Sequence, residues 1–251
     1  MNSAVLRVFF LAGLFSLSAG DYLFSQNRYS GEENIYQELY RSVQNTYGFN
    51  QELVNGIFYV NRYLHALGHP FFGDDRFETG DLIFRDKTYQ NVKMKYDIFE
   101  QKLLVNCNSG DKQINVLLPD EFLSRFSFNN MFFRFYTLKG IEPGYYQVIN
   151  DDGLLKCLYH WVKTRSTSDY YRIYLSYEFS DNIKKSYLIS DDKVVQYRGN
   201  REFINFFEKD LHSQIRKYIR QNKINVRTCV DSDMIKLIKY CKLLTEGRES
   251  G

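Results

Sequence analysis

Two histidines followed by two aspartates have the residue types and spacing best suited to metal or hydrolytic chemistry. They are His65, His69, Asp74 and Asp75. On a helix, a four-residue spacing places two imidazoles on one face, as in many metal sites. A glycine and a proline flank His69 and would end such a helix, and no glutamate follows the first histidine as in zinc proteases. We therefore expect no metal site here, with His65 on a helix surface and His69 packed at the helix end, and keep the four residues as its candidates.

Other residue types offer less support for catalysis. Cys157 and His160 could act as nucleophile and base only on one face of a strand, and residues three apart point to opposite faces. The aspartate pairs at 151–152 and 191–192 fall in predicted hairpin turns, where their side chains bond backbone amides. The sequence contains no nucleophile elbow, phosphate-binding glycine loop or dinucleotide fingerprint. We expect no catalytic residue and no cofactor.

One basic run stands out near the C-terminus. It consists of Lys209, Arg216, Lys217, Arg220, Lys223 and Arg227. Arg216, Lys217 and Arg220 would share much of the solvent face of an amphipathic helix. A solvated helix face is one interpretation, and peripheral contact with a membrane or another acidic surface is the other. The net charge of only +3 gives no general case for nucleic-acid binding.

The first twenty residues have the features of a secretory signal peptide. Arg7 is their only charge, residues 8–17 are mostly apolar, and Ser18-Ala19-Gly20 supplies the small residues that signal peptidase recognises. An N-terminal membrane anchor is the alternative, but the apolar run is shorter than the ~20 residues that span a bilayer. We expect cleavage before Asp21 and an exported chain without a transmembrane helix.

The four cysteines leave the disulfide state open. They are Cys107, Cys157, Cys229 and Cys241. An exported chain with an even number of cysteines permits disulfides, and four cysteines allow three pairings. The alternative is that they are small apolar residues of a core, since a domain of this size does not need disulfides to be stable.

Strand periodicity organises the middle of the chain. Within Gly80–Leu118, the residues Val92, Met94, Tyr96 and Ile98 alternate with polar ones, as in a strand with one buried face. Turn signals separate further strands, and the 21 tyrosines and 21 phenylalanines suit half-buried sheet surfaces. About ten strands joined by hairpins indicate an antiparallel rather than a doubly wound parallel sheet.

Helical spacing precedes and follows these strands. Residues 33–45 and 51–67 carry apolar side chains at helical intervals, and the same spacing returns after Arg201. The fold class is therefore α+β: an antiparallel meander, as a curved sheet, sandwich or half-barrel, flanked by N-terminal and C-terminal helices. The expected segments are a signal peptide at 1–20, a helical segment at 21–79, a β body at 80–199 and C-terminal helices at 200–251, the last three forming one structural unit.

Several phrases carry a family resemblance. They are Leu53-Val54-Asn55-Gly56-Ile57, Gly68-His69-Pro70-Phe71-Phe72, Val92-Lys93-Met94-Lys95-Tyr96-Asp97 and Tyr197-Arg198 leading into Phe203. The chain resembles an uncharacterised group of exported envelope proteins from Bacteroidota. The resemblance implies a Gram-negative location, in the periplasm or associated with the outer membrane. It transfers no functional residue.

Three functions remain open at this point. We expect a non-catalytic binding or assembly module of the cell envelope, with an envelope protein as a possible partner. A periplasmic carrier would instead hold an apolar ligand inside the curved sheet, lined by tyrosine and phenylalanine. A hydrolase would use His65 and His69 with Asp74 and Asp75.

Overall fold

The computed structural model describes residues 53, 56–109, 112–153, 155–168, 176–190 and 193–249. The chain divides into two compact units. The second unit, Glu52–Cys107 with Gln113–Gly251, contains nearly all of the described residues. The signal peptide expected at 1–20 and the helix expected at 33–45 lie outside them.

An open antiparallel sheet of eleven strands forms the body of this unit. The strands within the described residues are β1 (Ile57–Phe58), β2 (Glu78–Phe84), β3 (Lys87–Asp97), β4 (Lys102–Ser109), β5 (Lys112–Leu117), β6 (Leu123–Phe128), β7 (Met131–Tyr136), β8 (Gly144–Asn150), β9 (Lys156–Val162), β10 (Arg165–Ser168), β11 (Ser176–Phe179), β12 (Ile183–Ser190) and β13 (Lys193–Tyr197). The order in the sheet is β1-β5-β4-β3-β2-β6-β7-β8-β9-β12-β13, and β10 pairs with β11 separately. Because β1 and β13 are two different edges, the sheet does not close into a barrel.

Helices follow the last strand. They are α1 (Asn200–Asn205), α2 (His212–Gln221) and α3 (Asp231–Glu249). Their apolar side chains join one face of β8, β9, β12 and β13 in a core that includes Cys157, Tyr159, Leu188, Tyr197, Phe203, Ile215, Leu237 and Cys241. The α+β class and the C-terminal helices are thus confirmed. None of the helices that the structure describes is both long and apolar enough to span a bilayer.

The alternation predicted in β3 is present. Val92, Met94, Tyr96 and Ile98 are each at most 1 % exposed. Rings from β6, β7 and β8 surround Tyr96, with centroids 5.1 Å away in Phe126, 5.3 Å in Phe133 and 6.2 Å in Tyr145. The aromatic side chains on this face therefore pack against one another, as edge-to-face pairs favour.

The strand β2 joins two meanders, since it pairs with β3 on one side and β6 on the other. Gly80 lies opposite Phe128 of β6 at a point where a Cβ atom would be 1.9 Å from the Ser127 carbonyl oxygen. The register with β3 shifts just after Gly80, and the Asn91 amide donates to Asp81 Oδ1 (3.0 Å) beside the shift. Glycine here lets the two strands approach.

The helix predicted over 51–67 is wrong from residue 56 onward. Ile57 and Phe58 pair with β5 instead, and residues 59–67 are irregular. A Cβ atom on Gly56 would lie 2.3 Å from Val116 Cγ1, so the chain passes against β5 too closely for a side chain. The β-branched and aromatic residues after Gly56 suit a sheet edge as well as they suit an apolar helix stripe.

Candidate functional site

The two candidate histidines lie on irregular chain rather than on a helix. His65 is exposed. His69 is half-buried, with its ring stacked on Phe71 at a centroid distance of 6.1 Å. Burial lowers the pKa of His69, which favours its neutral form. Without a helix, the histidines do not share the face on which the metal hypothesis depended.

The candidate aspartates are paired with cations. Asp74 lies 2.8 Å from Arg76, and Asp75 lies 2.5 Å from Lys95. Lys95 also sits over the ring of Phe71, 4.9 Å from its centroid. Within the part of the chain that the structure describes, no three His, Cys, Asp or Glu residues are grouped so that they could hold a metal ion.

Asp97 is a buried carboxyl that the alternating pattern would place in water. It is 4 % exposed and accepts hydrogen bonds from the backbone amides of Phe99 (2.9 Å) and Glu100 (2.8 Å). Burial raises its pKa to about 6, although the two amide bonds oppose that shift. It borders a cavity of about 240 Å³ beside β1. Its two hydrogen bonds hold the turn between β3 and β4, which is a structural role.

Gln101 organises a buried polar network at the same turn. Its side-chain amide donates to the carbonyls of Ile98 and Trp161, both at 2.9 Å. Its Oε1 accepts from the Tyr96 hydroxyl (2.5 Å) and lies 3.1 Å from His160 Nε2. Because Oε1 only accepts, Nε2 carries the proton and Nδ1 is the unprotonated nitrogen. Burial lowers the pKa of His160 to about 4, so the ring is neutral.

Cys157 and His160 lie on opposite faces of β9, as expected. Cys157 belongs to the core beneath the helices, whereas the His160 ring packs on Tyr146 at 4.6 Å on the other side. Burial raises the pKa of the Cys157 thiol to about 12. All four cysteines are unpaired in the structure.

The basic run predicted near the C-terminus borders a groove between α1 and α2. This helix groove has a volume of about 770 Å³. Four cations line it: Arg201, Arg216, Arg220 and Lys223. Three isoleucines form the apolar part of the lining: Ile204, Ile219 and Ile224. The predicted basic run supplies Arg216, Arg220 and Lys223 to this lining, while the exposed Lys217 is outside it.

The local sequence explains how α2 presents these cations. Ile215 and Ile219 are buried against the core, which turns Arg216 and Arg220 outward. Tyr218 stacks on Tyr240 of α3 at a centroid distance of 4.1 Å and fixes α2 in place. Among the described residues, the four cations of the helix groove have no carboxylate partner.

Comparisons with known proteins give no relative. The chain matches no family model, no curated protein and no solved structure. Three guanidinium groups and one ammonium group around an isoleucine floor can hold an anionic group, since guanidinium pairs with phosphate and carboxylate oxygens in two-pronged fashion.

Proposed function

We propose that this chain is an exported, non-catalytic binding module of a Gram-negative cell envelope, which contacts an anionic membrane surface through its helix groove. The observation that carries the proposal is the helix groove itself, where four cations and no carboxylate line one concave surface. The N-terminal signal features and the resemblance to exported envelope proteins support the location.

Contacts of the candidate catalytic residues favour a binding role over hydrolysis. Asp74 and Asp75 are engaged by Arg76 and Lys95, and the imidazole of His69 stacks on Phe71. These contacts give the residues structural roles. The mutual packing of the aromatic side chains around Tyr96 likewise favours a protein core over a lining for an apolar ligand.

A membrane surface fits the helix groove better than a single small ligand. Its cations come from α1, α2 and the turn after α2, so the positive charge is distributed over three segments rather than gathered at one point. The buried side of α2 anchors it to the core, so the exposed side is free to lie on a surface. Cations near an anionic bilayer contribute about 1 kcal/mol each.

Vesicle co-sedimentation tests the proposal with the purified protein. We expect binding to phosphatidylcholine vesicles that contain phosphatidylglycerol, and weaker binding as salt rises. Replacing Arg216 and Arg220 together by Gln should lower affinity roughly thirtyfold, at about 1 kcal/mol per charge.

A matched control removes the same charge elsewhere. Lys93 and Lys139 are exposed residues outside the groove, and the Lys93→Gln/Lys139→Gln protein should bind nearly as well as the parent. Equal losses in both double variants, or equal binding to neutral vesicles, would overturn contact through the helix groove. Binding to an acidic peptide but not to anionic vesicles would replace the membrane by an acidic protein.

A further inference from the structure

A second cationic cavity lies between β12, β13 and the loop that follows α2. This strand groove has a volume of about 650 Å³ and shares no lining residue with the helix groove. The lining groups that could bind an anion include the cations Lys184, Arg198 and Arg227. Neutral hydrogen-bond donors in the lining are Asn182, Gln196 and Thr228. No carboxylate is among its lining residues.

Lys184 is the innermost of these cations. It is half-buried, and its ammonium lies 4.5 Å from the centroid of the Tyr159 ring in the core below. Among the described residues it has no carboxylate within ion-pair distance. A cation held over a ring, with part of its hydration shell removed, gains more from an anion than an exposed lysine does.

Arg198 and Arg227 reach the strand groove from separate segments, which Asn200 joins. Asn200 donates to the Ile224 carbonyl (3.0 Å) and accepts from the Val226 amide (2.9 Å). Both arginines are exposed and without a carboxylate partner among the described residues. This connection places the two guanidinium groups at one cavity.

Three neighbouring carboxylates lie outside the lining of the strand groove and have other partners. Glu202 accepts a hydrogen bond from the Arg198 backbone amide. Asp231 accepts one from Gln147, and Asp233 pairs with Lys236. Lys185 also borders the strand groove, but it follows Lys184 in a strand and its charge acts on His160 of the opposite face.

We propose that the strand groove binds a phosphate monoester, with Lys184, Arg198 and Arg227 as its cationic ligands. Guanidinium groups match phosphate oxygens in pairs, and the lysine supplies a point charge beneath them. The cavity volume leaves room for the alcohol part of the ester. A phosphorylated small molecule and a monoester lipid headgroup present the same group. This site goes beyond the proposed membrane contact, since it uses different residues.

Calorimetry and vesicle binding together test the site. Glycerol phosphate serves as the free ligand, phosphatidylcholine vesicles with phosphatidic acid supply the lipid monoester, and sulfate is the control dianion. We expect saturable binding with one site per chain for glycerol phosphate, for the vesicles or for both. Binding of glycerol phosphate alone assigns a soluble ligand. Because the helix groove also attracts anionic vesicles, vesicle binding assigns a lipid headgroup to the strand groove when the Arg216→Gln/Arg220→Gln protein retains it and the Arg198→Gln/Arg227→Gln protein loses it. Binding of both probes assigns the phosphate monoester group that they share.

Variants locate the site. Arg198→Gln/Arg227→Gln should weaken binding at least tenfold, from the loss of charged hydrogen bonds, and both positions are exposed enough to leave the fold intact. Lys184→Met keeps the packed stem and should also weaken binding, with thermal melting as the check on folding. Arg216→Gln/Arg220→Gln should bind glycerol phosphate as the parent does, even where it fails to bind phosphatidylglycerol.

Three results would overturn the proposal. One is a lack of saturable binding both to glycerol phosphate and to the phosphatidic acid vesicles. Another is equal affinity in the parent and in the Arg198→Gln/Arg227→Gln protein. The third is an equal loss of glycerol phosphate binding in the Arg216→Gln/Arg220→Gln protein, or binding of sulfate as tight as that of glycerol phosphate, because either would show attraction by diffuse positive charge.

Discussion

At the scale of single residues, the buried polar groups beside the turn after β3 have opposite responses to protons. Gln101 satisfies His160 Nε2 but nothing partners the buried His160 Nδ1 among the described residues, so protonating this ring inside the protein is unfavourable. Asp97 is buried as well, and its charged form is the one that burial disfavours. One residue therefore resists gaining a proton and the other resists losing it.

In mild acid, the effects of these two groups on the free energy of unfolding should oppose each other. The pKa of His160 falls from 6.5 to about 4 on folding, so only the unfolded chain takes up this proton and stability falls as pH drops through that window. The pKa of Asp97 rises from 3.8 to about 6, so the folded chain holds its proton and stability falls as pH increases. Each effect is about 3 kcal/mol at 1.36 kcal/mol per pKa unit.

Urea unfolding at a series of pH values separates the two effects. Between about pH 4 and 6, the unfolding free energy of His160→Gln should fall relative to that of the parent as pH rises, because His160 no longer opposes Asp97. That of Asp97→Asn should rise relative to that of the parent, because Asp97 no longer opposes His160. The parent should lie between the two slopes. Three parallel profiles would show that neither group titrates as its burial implies.

At the scale of elements, β2 depends on the absence of a side chain at Gly80. A Cβ atom there would approach the Ser127 carbonyl oxygen to 1.9 Å, a backbone atom that cannot rotate away. Gly80→Ala should therefore push β2 from β6 and destabilise the protein by about 3 kcal/mol or more, as overpacking does. Thermal or urea unfolding measures the loss.

Gly199 provides the matched control. It lies between β13 and α1 in an extended conformation, and a Cβ atom added there would meet no heavy atom within 4 Å. Gly199→Ala should change stability by less than about 0.5 kcal/mol, as most open surface substitutions do. If both variants unfolded alike, the close pairing of β2 with β6 would not limit the sheet.

The elements also show how far sequence patterns reach. The two-residue periodicity correctly predicted β3 and its buried face, because buried side chains alternate there with solvent-facing ones. The pattern failed at Ile57 and Phe58, whose residue types suit a sheet edge or a helix stripe, and the choice depended on β5 far along the chain. It also failed at Asp97, where the turn that follows covers the carboxyl.

The residues of the two cationic grooves were likewise predictable from the sequence only in part. Arg216 and Arg220 were predictable, since they share the exposed face of one helix. Arg201 joins them only through the packing of α1 beside α2. The strand groove has no local signature, because Lys184 and Arg227 belong to segments that only tertiary structure brings together. Sequence periodicity describes one helix or strand at a time and does not show which elements pack together.

At the scale of the whole described unit, one core ties the helices to the sheet. Leu237 of α3 is fully buried in the cluster that contains Tyr159 of β9, and Gln147 of β8 donates to Asp231 at the start of α3 (2.6 Å). Trp161, the only tryptophan, donates its indole N–H to the same Gln147 (2.8 Å). Its fluorescence therefore reports on the junction between helices and sheet.

This shared core predicts cooperative unfolding. Trp161 fluorescence and far-ultraviolet circular dichroism should give the same urea midpoint, because the helices cannot leave without exposing the sheet residues beneath them. Leu237→Ala should lower both midpoints together by the equivalent of about 2–5 kcal/mol, the usual cost of a large core truncation. Leu243→Ala, on the same helix but 69 % exposed, should leave them nearly unchanged. Loss of the helical signal before the fluorescence change in Leu237→Ala would instead make the C-terminal helices a separately melting layer, and both cationic grooves would then be lost before the sheet unfolds.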